Sequence, residues 1–383
     1  MKKGDDMKRN QYWKKLFILV YAFGALSTTQ TIPLIKHCGF NETQQGFLLA
    51  SIALFTIFLQ IGFGILSDKT GKMKPYFLVL FLCCTGLTGI LYMNTFQEFW
   101  LVFLLVGGIG GACRCYQTMM DTWVMQCDQE KGEFEKDKAI GSVGWALGAW
   151  AAALICSWGT FYLLALISLF ISFIAIFFAW KTKDGHRSST MKWSQLKELI
   201  SNQEYVILIL IMLVLFAMGC ADIYLVVDKT ISLGGNSFHI GLKWGIQSLA
   251  EAPVFLFSDK LLERFKMIPL LIFSTIMFGL RFMIYSFLQN VWWIVAAALM
   301  QSVTFPIAIY CTKIGIDRCT STEIKSTGQL AGASIYMGVS LLVMPVLTSW
   351  LSNALSIDGA LLVVTGFSLV GLLLIFRYKK IIS

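Results

Sequence analysis

The chain has 383 residues, of which 57% are hydrophobic and only 14% are charged. Soluble globular domains carry about 25% charged residues, so this composition excludes a soluble enzyme. The net charge of +9 and the mean hydropathy of +0.70 favour a membrane protein near anionic lipid over a nucleic-acid-binding protein.

Twelve apolar runs of about 20 residues divide the sequence, and each is long enough to cross a bilayer as a helix. The first run follows a basic stretch but continues to Ile35 without a small-residue cleavage site. We therefore expect a first span that is retained rather than a cleaved signal peptide. The predicted spans are 16–35, 46–66, 75–94, 99–124, 139–158, 160–180, 205–227, 239–258, 267–288, 291–312, 326–351 and 358–376.

The basic residues indicate how these spans are oriented. If the N-terminus is cytoplasmic, 26 of the 31 Lys and Arg residues fall in cytoplasmic segments, and only Lys36 and Lys229 fall in outer loops. Cytoplasmic loops of membrane proteins carry such an excess of basic residues. The sequence therefore predicts a multi-pass cell-membrane protein with both termini in the cytoplasm.

The longest polar connection lies at the middle of the chain and indicates an internal duplication. The tripeptide Ser67-Asp68-Lys69 after the second span recurs after the eighth span, 191 residues later. Parallel repeats of this kind occur in two-bundle transporters. We expect an N-terminal six-helix bundle (1–180), a cytoplasmic linker (181–203) and a C-terminal six-helix bundle (204–383).

Residues that could build a metal or covalent site are few. The ten cysteines lie mostly in apolar runs or cytoplasmic loops, and the three histidines form no zinc-like spacing with them. No nucleophile or phosphate-cradling motif is recognisable in the sequence. We therefore expect no metal, no cofactor, no nucleic-acid partner and no enzymatic activity.

The loop after the second span has a recognisable pattern of glycine, acid and base, beginning at Gly64. Its glycines permit a tight cytoplasmic turn, and Asp68 can lock against a neighbouring helix end. The segment resembles the signature G-x-L-x-D-R/K-x-G-x-R/K of the major facilitator superfamily. The resemblance implies twelve helices in two pseudo-symmetric bundles that alternate access to a central site. Gly64, Asp68, Lys69 and Gly71 would then form a gating motif.

Three patches resemble the lactose-permease-like oligosaccharide/proton symporters more closely. Lys138 and Trp145 match a basic residue and a tryptophan that bind sugar at the entry of the fifth helix. Asp121 matches the essential acid of the fourth helix, and Glu251 and Arg281 match an essential acid and arginine of helices eight and nine.

Two departures weaken the comparison with those symporters. Lys138 stands where the permease has arginine, and lysine lacks the planar fork that binds carboxylates and hydroxyl pairs through two parallel bonds. Gln301 and Thr304 occupy the positions of a histidine and a glutamate linked to proton coupling. The family's coupling mechanism therefore cannot simply be carried over.

Charged residues within spans support a binding site independently of the family, because each costs about 2.5–3.5 kcal/mol to insert. Arg114, Gln117 and Asp121 are spaced i, i+3, i+7, and Lys138 and Trp145 are i, i+7 on the next helix. Two such stripes can line a wet cleft in which Asp121 accepts hydrogen bonds, Lys138 donates them and Trp145 stacks on a pyranose. A structural ion pair and a core tryptophan remain the alternative interpretation.

The second half contributes further candidates. Glu251 is predicted to accept a sugar hydroxyl or carry a proton, or else to pair structurally with Arg281. Asp222 is a second candidate for proton coupling, or it forms a structural bridge with Lys243. Gln301 and Thr304, spaced i, i+3, can bind a ligand through neutral hydrogen bonds or simply pack.

We therefore expect a secondary transporter that moves a sugar, an oligosaccharide or related polyol, by symport with protons, and that functions as a monomer. The alternatives are a transporter of another small organic solute, such as an aromatic acid, nucleoside or drug, and an uncoupled sugar facilitator. The identity of the solute is not readable from the residues.

Overall fold

The computed structural model describes residues 2–93, 96–127, 133–158, 161–184, 193–257, 264–321 and 324–382, and their regular structure is helical. In chain order the helices are α1 (Lys2–Thr28), α2 (Thr31–His37), α3 (Glu42–Thr70), α4 (Lys74–Met93), α5 (Phe99–Cys127), α6 (Glu133–Ser157), α7 (Phe161–Lys181), α8 (Trp193–Ser201), α9 (Gln203–Ser232), α10 (Ser237–Leu256), α11 (Met267–Phe287), α12 (Val291–Ala297), a 3₁₀ helix (Ala298–Val303), α13 (Phe305–Cys319) and α14 (Lys325–Ile382).

Ten helical stretches among the described residues are long and apolar enough to cross a membrane. The last stretch, Ala331–Ile382, has 52 residues and contains most of the span predicted at 326–351 and all of the one at 358–376. The helix of the predicted eighth span, α10, is not among the ten, since His239, Lys243 and Glu251 make it more polar. The all-helical membrane fold class is therefore confirmed.

Apolar side chains on the outer faces of these helices support a lipid environment. On α7, Phe170, Phe173 and Phe177 are each more than half exposed. Contiguous exposed aromatic residues on a single helix are rare in water-soluble monomers. The exposed face of α7 is therefore a surface suited to contact with acyl chains.

Several predicted spans are interrupted. The first span is divided into α1 and α2 by a turn at Thr29 and Gln30. The tenth is divided into α12, the 3₁₀ helix and α13, with Thr304 at φ −110° and ψ −91° between the last two. The long helix α14 bends at Ser356, whose φ of 74° lies in the left-handed region. The first and tenth predicted spans each remain one membrane-crossing stretch, Tyr12–His37 and Val291–Cys319. Their interruptions were not predicted, because apolar composition sets the length of a span but not its local hydrogen bonding.

The described chain separates into two compact units. The first contains Met1–Ser189 and Gly235–Ala252, and the second contains Thr190–Gly234 and Pro253–Ser383. The expected bundle limits of 1–180 and 204–383 stay a prediction. The recurrence of the tripeptide at 258–260 lies outside the described residues.

Within the first unit, glycines let helices approach closely. A Cβ atom on Gly144 of α6 would lie 2.7 Å from Cα of Ile18 on α1, and one on Gly148 would lie 2.8 Å from Cα of Ala22. Real Cβ atoms do not approach backbone so closely, so any other residue would push α1 and α6 apart. This packing brings the polar side chains of α1 and α6 together.

The second unit is held by hydrogen bonds between helices. Ser274 Oγ on α11 donates to the carbonyl oxygen of Thr304 at 2.7 Å. Tyr205 Oη on α9 donates to the carbonyl oxygen of Gly328 on α14 at 2.8 Å. Each bond gives a buried backbone carbonyl a donor that the interior of a lipid bilayer does not supply.

Candidate substrate site

The polar stripes of α5 and α6 meet in an ion pair. Lys138 Nζ contacts Asp121 Oδ2, a contact that the spacing of the two residues allows. The side chains of Lys138 and Asp121 retain 34% and 21% of their exposure. A ligand could therefore reach this pair without unfolding the surrounding helices.

Tyr21 of α1 joins the ion pair and was missed by the sequence analysis. Lys138 Nζ donates to Tyr21 Oη at 2.7 Å, and Tyr21 Oη donates to Asp121 Oδ1 at a longer 3.4 Å. The ammonium also lies 5.3 Å from the centre of the Tyr21 ring. A tyrosine within an apolar run carries no insertion penalty comparable to that of a charge, so little in the sequence pointed to it.

Trp145 and Gln117 extend the polar cluster along α6 and α5. A Cβ atom on Gly24 of α1 would lie 2.8 Å from Gln117 Nε2, 3.2 Å from Cys113 Sγ and 3.3 Å from Trp145. Gly24 therefore lets the amide and the indole pack against the backbone of α1. Within the described residues, Gln117 Nε2 has no hydrogen-bond partner. The cluster thus combines an ion pair, an amide and an aromatic ring.

Arg114 lies one turn before Gln117 on α5 and is half-buried. Within the described part of the chain, its side chain is in no ion pair. The interpretation of Arg114 as a helix-bridging ion pair therefore finds no partner among these residues. Its predicted role in substrate binding stays untested.

Helix α10 brings further polar side chains to the first unit. Lys243 is fully buried, with Nζ 4.2 Å from the ring centre of Trp244. Glu251 is half-buried two turns further along. Ser248 Oγ donates to the carbonyl oxygen of Ser142 on α6 at 2.8 Å, and this bond ties α10 to the helix that carries Lys138.

The second unit contains a different ion pair. Arg281 Nη2 on α11 contacts Asp222 Oδ1 on α9 at 2.8 Å, with side-chain exposures of 0% and 5%. Arg281 Nη1 donates to Gln301 Oε1, and Nη2 and Nε each lie 3.3 Å from Tyr285 Oη. Tyr285 was also missed, although its i, i+4 spacing from Arg281 could have suggested the contact.

This cluster changes the interpretation of three candidates. Asp222 forms an ion pair with Arg281. The other two expected pairs, Asp222 with Lys243 and Glu251 with Arg281, each involve residues of both units and stay predictions. Gln301 uses its carbonyl oxygen on the guanidinium. Thr304 is buried, and its hydroxyl donates to the carbonyl oxygen of Gln301 at 3.0 Å. This geometry favours packing, and a contact of Thr304 with a ligand stays a prediction.

The glycine-containing signature loop forms the tight turn expected from its sequence. Gly71 has φ 67° and ends α3, and its N–H donates to the carbonyl oxygen of Ser67 at 2.8 Å. Gly64 lies within α3, and Lys69 is exposed. The side chain of Asp68 lies outside what the structure describes. The gating role of these residues therefore stays a prediction.

The residues after this turn are anchored to the end of α7. Asp184 Oδ1 accepts hydrogen bonds from the backbone N–H groups of Met73 and Lys74 at 3.0 and 2.9 Å. Lys74 Nζ donates to the carbonyl oxygens of Trp180 and Thr182 at 2.6 and 2.9 Å. A carboxylate at the start of α4 and an ammonium at the end of α7 both complement the helix dipoles.

The sequence was compared with models of known protein families. The model of the MFS_1 like family matches residues 12–351, nearly the whole chain. The chain belongs to this family. The predicted major facilitator resemblance is thereby confirmed, and the family and fold are those of transporters rather than enzymes.

One sequence comparison and one structural comparison agree with that assignment. An uncharacterized transporter of Bacillus subtilis (strain 168), YwbF, is 24% identical over 333 residues, which cover 83% of this chain and 81% of the relative. The crystal structure of the nucleoside transporter NupG superposes with a TM-score of 0.78 and 15% identity, covering 98% of this chain and 99% of that one.

A NupG variant gives a TM-score of 0.81 at 14% identity, covering 98% of this chain and 100% of that chain. At this identity the likeness shows the fold alone. Two pseudo-symmetric helical bundles are thereby confirmed as the fold class, whereas the closer resemblance to lactose-permease-like symporters stays a prediction.

Proposed function

We propose that this transporter carries a small, neutral, polyhydroxylated solute, of which a sugar is the leading candidate. The observation that supports this proposal is the partly exposed Lys138–Asp121 pair with Tyr21 beside it and Trp145 two turns along α6. Carboxylates and ammonium groups bind hydroxyls through strong, charge-assisted hydrogen bonds. An indole ring binds the apolar face of a pyranose.

The charge of the site favours a neutral solute. Lys138 and Asp121 neutralise one another, so an anionic or cationic solute would find no uncompensated partner in the pair itself. Arg114, half-buried on the same stripe, is the feature that would favour an aromatic acid. Binding of a carboxylate solute that disappears in an Arg114→Gln variant would support that alternative.

A nucleoside is the second candidate solute. The structural neighbour NupG is a nucleoside transporter, and a nucleoside also combines hydroxyl groups with a flat ring that can stack on Trp145. Its ribose would bind Asp121 and Lys138 in the same way as a sugar. The two candidates therefore share one predicted site and differ in what lies against the indole.

Proton coupling is proposed to depend on Glu251. Protonation of Asp222 would leave the fully buried guanidinium of Arg281 without its counter-charge, and a buried unpaired charge is costly. Asp222 and Arg281 are therefore less suited to exchange protons than the half-buried carboxylate of Glu251 on α10. If Glu251 does not carry a proton, the protein is an uncoupled facilitator.

The protein is proposed to work as a monomer in the cell membrane, with both termini in the cytoplasm. The strong concentration of basic residues in alternate loops supports this orientation. Single cysteines introduced at Lys36 or Lys379, in a variant whose ten native cysteines are replaced by serine, test it by labelling in intact cells. Only the cysteine at position 36 should react with an impermeant reagent.

The proposed function is tested with two probes, sucrose and uridine. Thermal unfolding of the purified protein with each probe shows which class binds, because a ligand that binds only the folded state raises the unfolding temperature. Uptake into vesicles with and without a pH gradient then tests coupling. Absence of binding by sugars and nucleosides would overturn the proposal, and accumulation unaffected by collapse of the gradient would remove symport.

A further inference from the structure

We propose that Tyr21 is a positioning residue that supplies the second contact an arginine would have given, and so allows lysine to serve at position 138. This inference rests on the proposed substrate site. Tyr21 lies on α1, which packs against α6, whereas Asp121 and Lys138 lie on α5 and α6. Its hydroxyl group lies within 2.7 Å of Lys138 Nζ and 3.4 Å of Asp121 Oδ1.

The two cations differ in how they hold a carboxylate. A guanidinium binds both carboxylate oxygens through two parallel N–H groups, whereas an ammonium is a point charge that leaves the carboxylate free to rotate. Here Lys138 contacts Oδ2 of Asp121, and the Tyr21 hydroxyl donates toward Oδ1. Lysine and tyrosine together thus contact both oxygens, as one arginine would.

The same geometry leaves room for a ligand. An ammonium has three N–H donors, and the described contacts of Lys138 use two of them, on Tyr21 and Asp121. The Tyr21–Asp121 distance of 3.4 Å is long for a hydroxyl donor. A ligand hydroxyl can therefore accept the third N–H of Lys138, or donate to the second lone pair of Asp121 Oδ1, without displacing Tyr21.

The helices that carry Tyr21 and Lys138 are held in register by backbone contact. Gly144 and Gly148 of α6 lie directly against α1. The Tyr21 ring is further packed by Phe17, with ring centres 5.9 Å apart. The hydroxyl is thus held in place by the packing of its own helix, as a positioning role requires.

The test is a double-mutant cycle that combines Tyr21→Phe with Lys138→Arg. In the presence of Lys138, Tyr21→Phe should lower the unfolding temperature and weaken binding of sucrose or uridine by about tenfold, a typical loss for a hydrogen bond to a charged group. In the Lys138→Arg background, the same change should weaken binding by about twofold or less, because arginine contacts both carboxylate oxygens itself.

Tyr92→Phe is the matched control. The Tyr92 hydroxyl is buried in the same unit and donates to the carbonyl oxygen of Ser27 at 3.0 Å. Its loss should lower the unfolding temperature equally in the unaltered and the Lys138→Arg backgrounds and leave probe binding unchanged.

The stability arm of the cycle needs no ligand and therefore separates the two proposals. Equal effects of Tyr21→Phe on the unfolding temperature in both backgrounds would overturn the positioning role. Coupled stability together with unchanged probe affinity would overturn the role of Tyr21 in substrate binding. Failure of the unaltered protein to bind either probe would instead contradict the proposed function, and the stability arm would still decide whether Tyr21 positions the pair.

Discussion

The two units each contain an acid–base pair inside the membrane-spanning helices, but the pairs differ in exposure. Lys138 and Asp121 in the first unit keep 34% and 21% of their side-chain exposure, whereas Arg281 and Asp222 in the second keep 0% and 5%. A partly exposed pair can exchange its contacts with a ligand. A fully buried pair cannot lose a partner without leaving a charge in a low-dielectric interior.

The surroundings of the two pairs reinforce this difference. Arg281 is in contact with a carboxylate, an amide oxygen and a tyrosine hydroxyl, so its donors are extensively used within the protein. Lys138 has one N–H donor that is not used by the described residues, and it lies two turns from Trp145 on the same helix. On the proposed assignment, the difference in exposure separates the substrate site from the structural ion pair.

The largest effect is expected from breaking the buried pair. Arg281→Met should lower the free energy of unfolding by about 3–5 kcal/mol, because Asp222 then remains buried without its counter-charge. Thermal or denaturant unfolding of the purified protein measures this loss. A loss no greater than that of Lys138→Met would contradict the assignment of the second pair as the structural one.

A rescue variant separates charge from packing at the same place. Adding Asp222→Asn to Arg281→Met removes the unpaired carboxylate and should recover part of the lost stability. If the double variant is less stable by the sum of the two single changes, the cost of an unpaired charge is not the cause.

Loss of the exposed pair should affect binding more than stability. Lys138→Met should weaken sugar or nucleoside binding by about 2–3 kcal/mol, the usual value of a hydrogen bond from a charged group, and lower stability by less than Arg281→Met. Isothermal titration and thermal unfolding on the same preparation give both numbers. The matched control, Asp358→Asn, removes the ion pair with Lys229 and should leave affinity unchanged.

The aromatic ring is expected to contribute less than the charges. Trp145→Phe should weaken binding by about threefold to tenfold, since aromatic contacts add about 0.5–1.5 kcal/mol beyond buried area. Trp158→Phe is the control, because Trp158 directly follows α6 and is 82% exposed. Equal affinity of the Trp145 variant and the unaltered protein would exclude stacking on this indole.

The smallest effect concerns the contact of α1 with the site. Gly24→Ala adds a Cβ atom 2.8 Å from Gln117 Nε2 and 3.3 Å from Trp145, so both side chains must shift by a few tenths of an ångström. Affinity should fall by about threefold, or roughly 0.6 kcal/mol. A control change in the second unit, Gly219→Ala, meets Phe305 at an ordinary 3.4 Å and should leave affinity unchanged. A larger loss for Gly219→Ala would contradict the placement of the site in the first unit.

Composition and charge were sufficient to predict the class of fold and to single out two of the side chains that meet. The sequence allowed a contact between Asp121 and Lys138, because a charge within a span needs a partner and the two residues lie on polar stripes of consecutive predicted helices. Tyr21 could not, since a tyrosine in an apolar run attracts no notice and its partners lie 100 and 117 residues away.

The interruptions of the helices were harder to predict than the helices. Pro306 lies in the first turn of α13, after the 3₁₀ helix, and proline in the first turn of a helix is a recognised signal. It was insufficient because the apolar run continues through it. The bend at Ser356, in contrast, falls in the gap left between the last two predicted spans. The contact of Asp222 with Arg281 was not predicted either, because the sequence does not indicate whether Lys243 or Arg281 is its partner.

The affinity of an Asp121→Asn variant for sucrose or uridine tests the central claim most directly. Asparagine keeps the size of the side chain but removes the negative charge. That charge pairs with Lys138 and strengthens hydrogen bonds from ligand hydroxyl groups. Measured by isothermal titration beside the Asp358→Asn control, the affinity of the Asp121 variant should fall by about 100-fold, while the control binds as the unaltered protein does. Unchanged binding by the Asp121 variant would contradict the assignment of the substrate site to this cluster.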